Sequence, residues 1–257
     1  MEYLDGIVAD VRRRLEERMA AVPLRELRTR SAPERPSFRE AMQSPGLSLI
    51  AEVKRASPSK GSLRPDVDVA ELVRHYEVAG AAAVSVLTEQ DHFQGSLDDL
   101  RTAEGATSLP LLQKDFVVDE YQLHEARALG ASAVLLIVAI LDRDEFLALG
   151  ETAGRLGLDV LAEVHGEEEL EQGLALERAI IGINNRDLRS FEVSLETTFR
   201  LVSQLPPERT VVSESGIRGR DDFVRLEAAG VDGVLVGEHL LRSGDVEAAI
   251  RELLLRA

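Results

Sequence analysis

Lysine occurs three times in this 257-residue chain, at Lys54, Lys60 and Lys114, and arginine fills the other 27 basic positions. Arginine stays protonated in any protein site, whereas lysine can release its proton when its surroundings demand it. Lys54 stands two residues after Glu52 in "LIAEVKRASPSKG", and Lys114 closes the apolar run "PLLQKDF". Asparagine is rarer, with only Asn184 and Asn185 in "IIGINNRD", followed by Arg186. Two further apolar runs end in polar residues: Glu163 and His165 in "LAEVHG", and Glu214, Ser215 and Gly216 in "SESGI". Residues two apart on a strand share a face, so Glu52 and Lys54 project the same way. Carboxylates and ammonium groups gathered at one place shift each other's proton affinities and supply an acid and a base near neutral pH. Taken singly, Glu52, Lys54 or Glu163 reads better as part of a structural ion pair lining the barrel. Taken together, in a chain so short of lysine and asparagine, they read as catalysis.

These residues need strands to carry them. Apolar runs of strand length lie at 48–54, 82–88, 109–115, 132–139, 158–164, 179–184, 210–215 and 232–237. Between them lie segments of helical period, several opening on Asp, Ser or Gly and closing on Gly. Near-continuous apolar strands separated by helices predict a parallel sheet covered on both faces. Eight such units predict a single α/β domain over residues 1–257, a (β/α)8 TIM barrel. A doubly wound open sheet is the competing architecture, but no G-x-G-x-x-G follows the first strand. Residues 1–47 fall outside the repeat. Leu4, Val8, Val11 and Leu15 recur there at helical spacing, predicting an N-terminal helical extension packed on the barrel. Its nine arginines nearly balance eight acidic residues, so it is not a basic arm.

In such a barrel the chemistry lies at the C-terminal strand ends. Gly216 and Gly237, in "SESGI" and "LVGEHLL", stand at strand-to-helix turns, where exposed backbone N–H groups cradle phosphate. Phe93, Phe116 and Phe191 follow strands two, three and six and could wall a pocket for an aromatic ligand, or simply pack in the core. His75 and His124 lie inside helix patterns and read as surface or groove residues, and His92 and His239 lie in loops with no second ligand at metal spacing. A net charge of −16 argues against nucleic-acid or anionic-membrane partners. The lack of cysteine excludes disulfides and thiolate metal sites, and neither end reads as a leader or a membrane span. A cytoplasmic enzyme with a phosphorylated small-molecule substrate, monomeric or weakly homo-oligomeric, is the expectation. Two alternatives stay open on the residues alone: another phosphate-binding barrel isomerase or epimerase, and a non-catalytic barrel that binds a metabolite.

The stretches "IAEVKRASPSKG", "VSVLTEQDHFQGSLDDL", "LQKDFVVDEYQLHEARALGA", "LAEVHGEEEL", "IGINNRDL", "VSESGI" and "VLVGEHLL" closely resemble the indole-3-glycerol phosphate synthase family. The resemblance runs from about residue 48 to the end, in order and at every strand end. It implies a carboxy-lyase of tryptophan biosynthesis that needs no cofactor or metal. The substrate would be 1-(2-carboxyphenylamino)-1-deoxyribulose 5-phosphate, ring-closed with loss of carbon dioxide and water. By the same resemblance Lys114 is the general acid, Glu163 the base, and Lys54 and Glu52 an assisting pair. Asn184 would bind the sugar, Ser57 and Arg186 the anthranilate carboxylate, and Gly216 and Gly237 the phosphate, while Pro58 would fix the loop carrying Ser57. Glu214 and Ser215 belong to the implied site without a defined duty. Glu238 stands where some relatives carry a small hydroxyl residue at the phosphate.

Overall fold

The computed structural model describes residues 2–57, 61–188 and 190–255. Eight parallel strands close into a barrel in sequence order: β1 Ser48–Val53, β2 Ala83–Leu87, β3 Leu111–Lys114, β4 Ala133–Ile137, β5 Asp159–Val164, β6 Ile180–Asn184, β7 Val211–Glu214 and β8 Gly233–Val236. Each lies inside its predicted run and is shorter than it by one to three residues. Before the barrel come α1 Glu2–Ala21, α2 Leu24–Leu27 and α3 Phe38–Met42. Around it run α4 Val69–Ala79, α5 Leu97–Glu104, α6 Glu120–Ala128, α7 Arg143–Arg155, α8 Glu167–Leu174, α9 Glu196–Val202, α10 Arg220–Ala228, α11 Glu238–Arg242 and α12 Val246–Leu254. Asp68, Ser96, Asp119, Asp142 and Asp245 each cap a helix by accepting a backbone N–H at its first turn. The short α11 follows the Gly237 turn directly and carries His239, which corrects the expectation of a loop at that histidine.

The two-residue period of the strands sorts the core. Leu49, Ala51, Val84, Val86, Val160, Ala162, Ile181, Ile183, Val234 and Val236 face outward and pack beneath the helices. Ile50, Ala83, Leu112, Ala133, Leu135, Leu161, Ile180, Val212 and Leu235 face inward and fill the barrel. The same inward row, continued two residues toward the C-terminal end, reaches Glu52 from Ile50, Lys114 from Leu112, Glu163 from Leu161 and Glu214 from Val212. A charged layer therefore sits directly on an apolar plug. Asn184 is level with Glu214 across the β6–β7 ladder, and Glu163 is level with Gly182.

The N-terminal extension shares its core with the barrel interior. Leu4, Ile7, Val11 and Leu15 of α1 are buried, while Val8 is only partly so, which corrects the expected stripe by one position. Phe38 and Met42 of α3 are fully buried at the opposite end, where a β-carbon on Gly233 would stand 2.7 Å from Met42 Sδ. Among the described residues no helix is long and apolar enough to cross a membrane.

Candidate active site

A cavity of about 1020 Å³ opens at the C-terminal mouth, and its walls include Glu52, Lys54, Lys114, Glu163, Asn184 and Glu214. Lys114 Nζ donates to Glu163 Oε2 at 3.1 Å and to Glu214 Oε2 at 3.0 Å, bridging β3 to β5 and β7 across the barrel. Lys54 Nζ donates to Glu52 Oε1, forming the separate pair expected from their spacing. Asn184 Oδ1 accepts the backbone N–H of Arg186 at 3.1 Å, which fixes the amide at the rim.

The two carboxylates on Lys114 are driven apart. Burial alone would raise Glu163, but the Lys114 ammonium, His165 and the Asn184 amide overcome it and hold the group below the usual carboxylate range. Burial raises Glu214, and the neighbouring charges of Glu163 and Glu52 add to it, so that against the pull of Lys114 the group is pushed up to about 7. Oε1 of Glu214 finds no hydrogen-bond donor among the described residues. Burial would lower Lys114, yet the surrounding carboxylates raise it, so it is an ammonium in the resting site. One fixed carboxylate and one carboxyl near its titration point share a single proton donor.

Two of these arrangements were not foreseen in the sequence. His165 Nε2 lies 3.4 Å from Glu163 Oε1, while its Nδ1 meets Glu169 Oε2 at 3.0 Å. Burial would depress the imidazole, but the two carboxylates push it up to about 10. Gly182 is the second. A β-carbon there would stand 2.4 Å from Glu214 Oε1, and one at Gly237 would stand equally close to Glu52 Oε1. Each glycine is a space that a carboxylate occupies.

The apolar side of the cavity holds Phe93, Phe116 and Phe191, together with Leu4 and Ile7 of α1. The rings of Phe93 and Phe116 are 6.2 Å apart, centroid to centroid, and tilted by 39°. Phe93 is placed by its loop: the Glu89 carboxylate accepts the N–H groups of Asp91, His92 and Phe93. Arg14 of α1 clamps that loop through Asp91, with Nε to Oδ2 at 2.6 Å. Phe191 takes a positive φ of 59°, and its carbonyl accepts from Arg186 Nη1 at 3.3 Å, so ring and guanidinium come to the cavity as one unit. At the far side lie Ser215, Gly216, Gly237 and Glu238. Ser215 and Gly216 are successive left-handed residues, at φ 65° and 87°. The Glu238 carboxylate lies 3.2 Å from Arg242 Nε. Pro58 lies outside the described residues, as do Lys60 and the side chain of Ser57. Among the described residues no group of three or more His, Cys, Asp or Glu side chains is arranged to hold a metal ion.

Comparison with known proteins identifies the family. The family described as indole-3-glycerol phosphate synthase matches residues 4–253. An indole-3-glycerol phosphate synthase of Nocardioides sp. is 49% identical over 259 residues, covering 98% of this chain and 98% of that protein. That of Mycobacterium ulcerans is 46% identical over 252 residues, covering 97% of this chain and 93% of that protein. Among solved structures, a thiamine phosphate pyrophosphorylase from Pyrococcus furiosus superposes with a TM-score of 0.60 at 23% identity, over 81% of this chain and 94% of its own. A chain of the tryptophan synthase α2β2 complex of a Pyrococcus furiosus source gives 0.60 at 17% identity, over 81% and 98%. These two likenesses concern the fold alone.

Proposed function

The chain belongs to the indole-3-glycerol phosphate synthase family and carries its carboxy-lyase activity, and from that premise we propose how its strand-end groups divide the reaction. The substrate's anthranilate ring lies against Phe93, Phe116 and Phe191, with its carboxylate toward Arg186 and Ser57. The phosphate occupies the turns at Gly216 and Gly237, where a donor comes from the backbone N–H of Glu238 while Arg242 engages that residue's carboxylate. Asn184 meets the sugar hydroxyls between the two ends. We place the reaction in the cytoplasm, as suits a biosynthetic enzyme of this family, on a monomer or weak homo-oligomer.

Ring closure begins when the ring carbon bearing the carboxylate attacks the ribulose carbonyl. Lys114 gives its proton to that oxygen, which becomes a hydroxyl, and carbon dioxide leaves as the ring regains aromaticity. The hydroxyl then departs as water, with Lys54 and Glu52 acting as a pair, and Glu163 takes the remaining proton. The observation that carries this order is the single Lys114 ammonium held between Glu163 and Glu214. Once Lys114 has lost its proton, Glu163 loses the charge that kept it a weak base, so the acid step raises the basicity the next step needs. Glu214, able to hold a proton near neutral pH, can return one to Lys114. The test is turnover of the carboxyphenylamino deoxyribulose phosphate, followed by indole fluorescence and carbon dioxide release. Substrate consumed without an indole signal would overturn the assignment.

A further inference from the structure

The second of the chain's two asparagines does not line the cavity, yet it is buried with a fully used amide. Asn185 Nδ2 donates to Ser213 Oγ at 2.9 Å, to the Glu214 carbonyl at 3.0 Å and to the Ser215 carbonyl at 3.1 Å. Its Oδ1 accepts from the backbone N–H of Thr198 at 3.1 Å and from Thr198 Oγ1 at 2.8 Å, and that hydroxyl also meets Ser213 Oγ at 2.8 Å. The amide is thereby oriented from both sides, since a reversed amide would set N–H against N–H at Thr198. Its own backbone N–H adds a bond to the Glu214 carbonyl at 2.9 Å.

The three acceptors are consecutive residues of the β7 end. Glu214 turns inward to Lys114, whereas Ser213 turns outward to Asn185, as alternate residues of a strand must. Ser215 is the point where the chain enters a left-handed conformation that a residue with a β-carbon seldom adopts. The Ser215 carbonyl bonded to Asn185 and the Gly216 N–H belong to one rigid peptide plane. Holding that carbonyl therefore fixes the direction of the N–H that opens the turn.

We propose that Asn185 is a positioning residue which, through the Glu214 and Ser215 carbonyls, sets the proton-transfer carboxyl and the phosphate turn as one unit. The inference rests on the phosphate seat and the Lys114 chemistry described above, and extends them to a side chain that touches no substrate. Loss of the amide would take that donor from the part-buried Ser215 carbonyl and leave the Glu214 carbonyl with the Asn185 backbone N–H alone, freeing the turn to relax toward ordinary backbone angles.

The test measures kcat, the inhibition constant of inorganic phosphate and the melting temperature for Asn185→Ala, Thr198→Val and the unaltered enzyme. For Asn185→Ala, kcat is expected to fall and the phosphate constant to rise, each by about tenfold, as losing one or two buried hydrogen bonds would produce. Thr198→Val keeps the Asn185 side chain but strips one of its anchors, and should move both quantities by about threefold. It also serves if Asn185→Ala does not fold. Met42→Ala, at the other end of the barrel, controls for lost stability and should lower only the melting temperature. A fall in melting temperature with kcat and phosphate inhibition unchanged overturns the inference, and so does a change in one without the other. Phosphate that fails to compete with substrate in the unaltered enzyme overturns the phosphate seat itself. Phosphate that competes there, and equally well in the variants, overturns the positioning role alone.

Discussion

The two ends of the barrel use charge in opposite ways. At the N-terminal end the cations are arginines, and their bonds go to structure: Arg35 donates to the carbonyls of Thr107 and Leu109, Arg209 to those of Leu174 and Leu176, and Arg39 pairs with Asp159 at 3.7 Å. The apolar floor at this end includes Phe38 and Met42. At the C-terminal end, inside the mouth, the cations facing the buried carboxylates are Lys54, Lys114 and the imidazolium of His165. A guanidinium closes helix ends and loops well because it holds several planar donors and never lets its proton go. Where a proton has to move, the chain keeps groups that can release one.

Exchanging the charge type at the mouth should therefore have the largest effect. Lys114→Arg preserves charge but not proton donation, and turnover is expected to fall by about 10² or more with the melting temperature nearly unchanged. Indole fluorescence and a thermal melt on the same preparation decide it; retained activity would make Lys114 a structural cation like those at the floor. Glu163→Gln keeps size and an acceptor but cannot take a proton, and a loss of about 10² in kcat with little change in KM is expected. Lys54→Arg should lose less, because part of its duty toward Glu52 is electrostatic and survives the exchange.

At the floor the expectation reverses. Met42→Ala leaves a cavity beneath the barrel and should cost about 2–5 kcal/mol of stability in denaturant unfolding, with kcat unchanged at temperatures where the variant is folded. A matching loss of kcat would break the division between the two ends. The smallest effect concerns pH. His165 binds its proton more tightly folded than unfolded, so its contribution is complete below its ordinary value of 6.5 and is lost as pH rises through about 10. The melting temperature of the unaltered protein should decline across that range more steeply than that of His165→Gln. Parallel curves would place the imidazole outside the charge network.

Much of this was legible because strand burial is a local property. An apolar run that passes through a closed sheet needs no partner to be recognised, and all eight strands fell inside their predicted spans. The period of two then carried the inward row from Leu112 to Lys114 and from Leu161 to Glu163. What stayed hidden depends on neighbours remote in sequence. Nothing around Gly182 signals that the Glu214 carboxylate needs its missing β-carbon. His165 was visible as a strand-end residue, but its pairing with Glu169 requires the first turn of α8 to fold back over it. Ile7 replaced Val8 in the buried stripe because both spacings, Leu4–Ile7–Val11 and Leu4–Val8–Val11, are helical, and only the docking of α1 on the barrel chooses between them. The same docking brings Leu4 and Ile7 to the cavity wall.

The two glycines beneath the carboxylates bear on how such a site could be moved to another protein. Gly182 and Gly237 bring no side chain to the site, and a transplant that copied Glu52, Lys54, Lys114, Glu163 and Glu214 onto a fresh barrel would omit them. With alanine at either place, the nearest carboxylate would have to swing away from the strand, and its distance to the lysine would change with it. The recipe for this chemistry is therefore partly a set of omissions. Vacant lining positions next to acidic strand ends are as much a mark of it as the acids themselves, and they can be searched for in barrels whose charged residues alone look unremarkable.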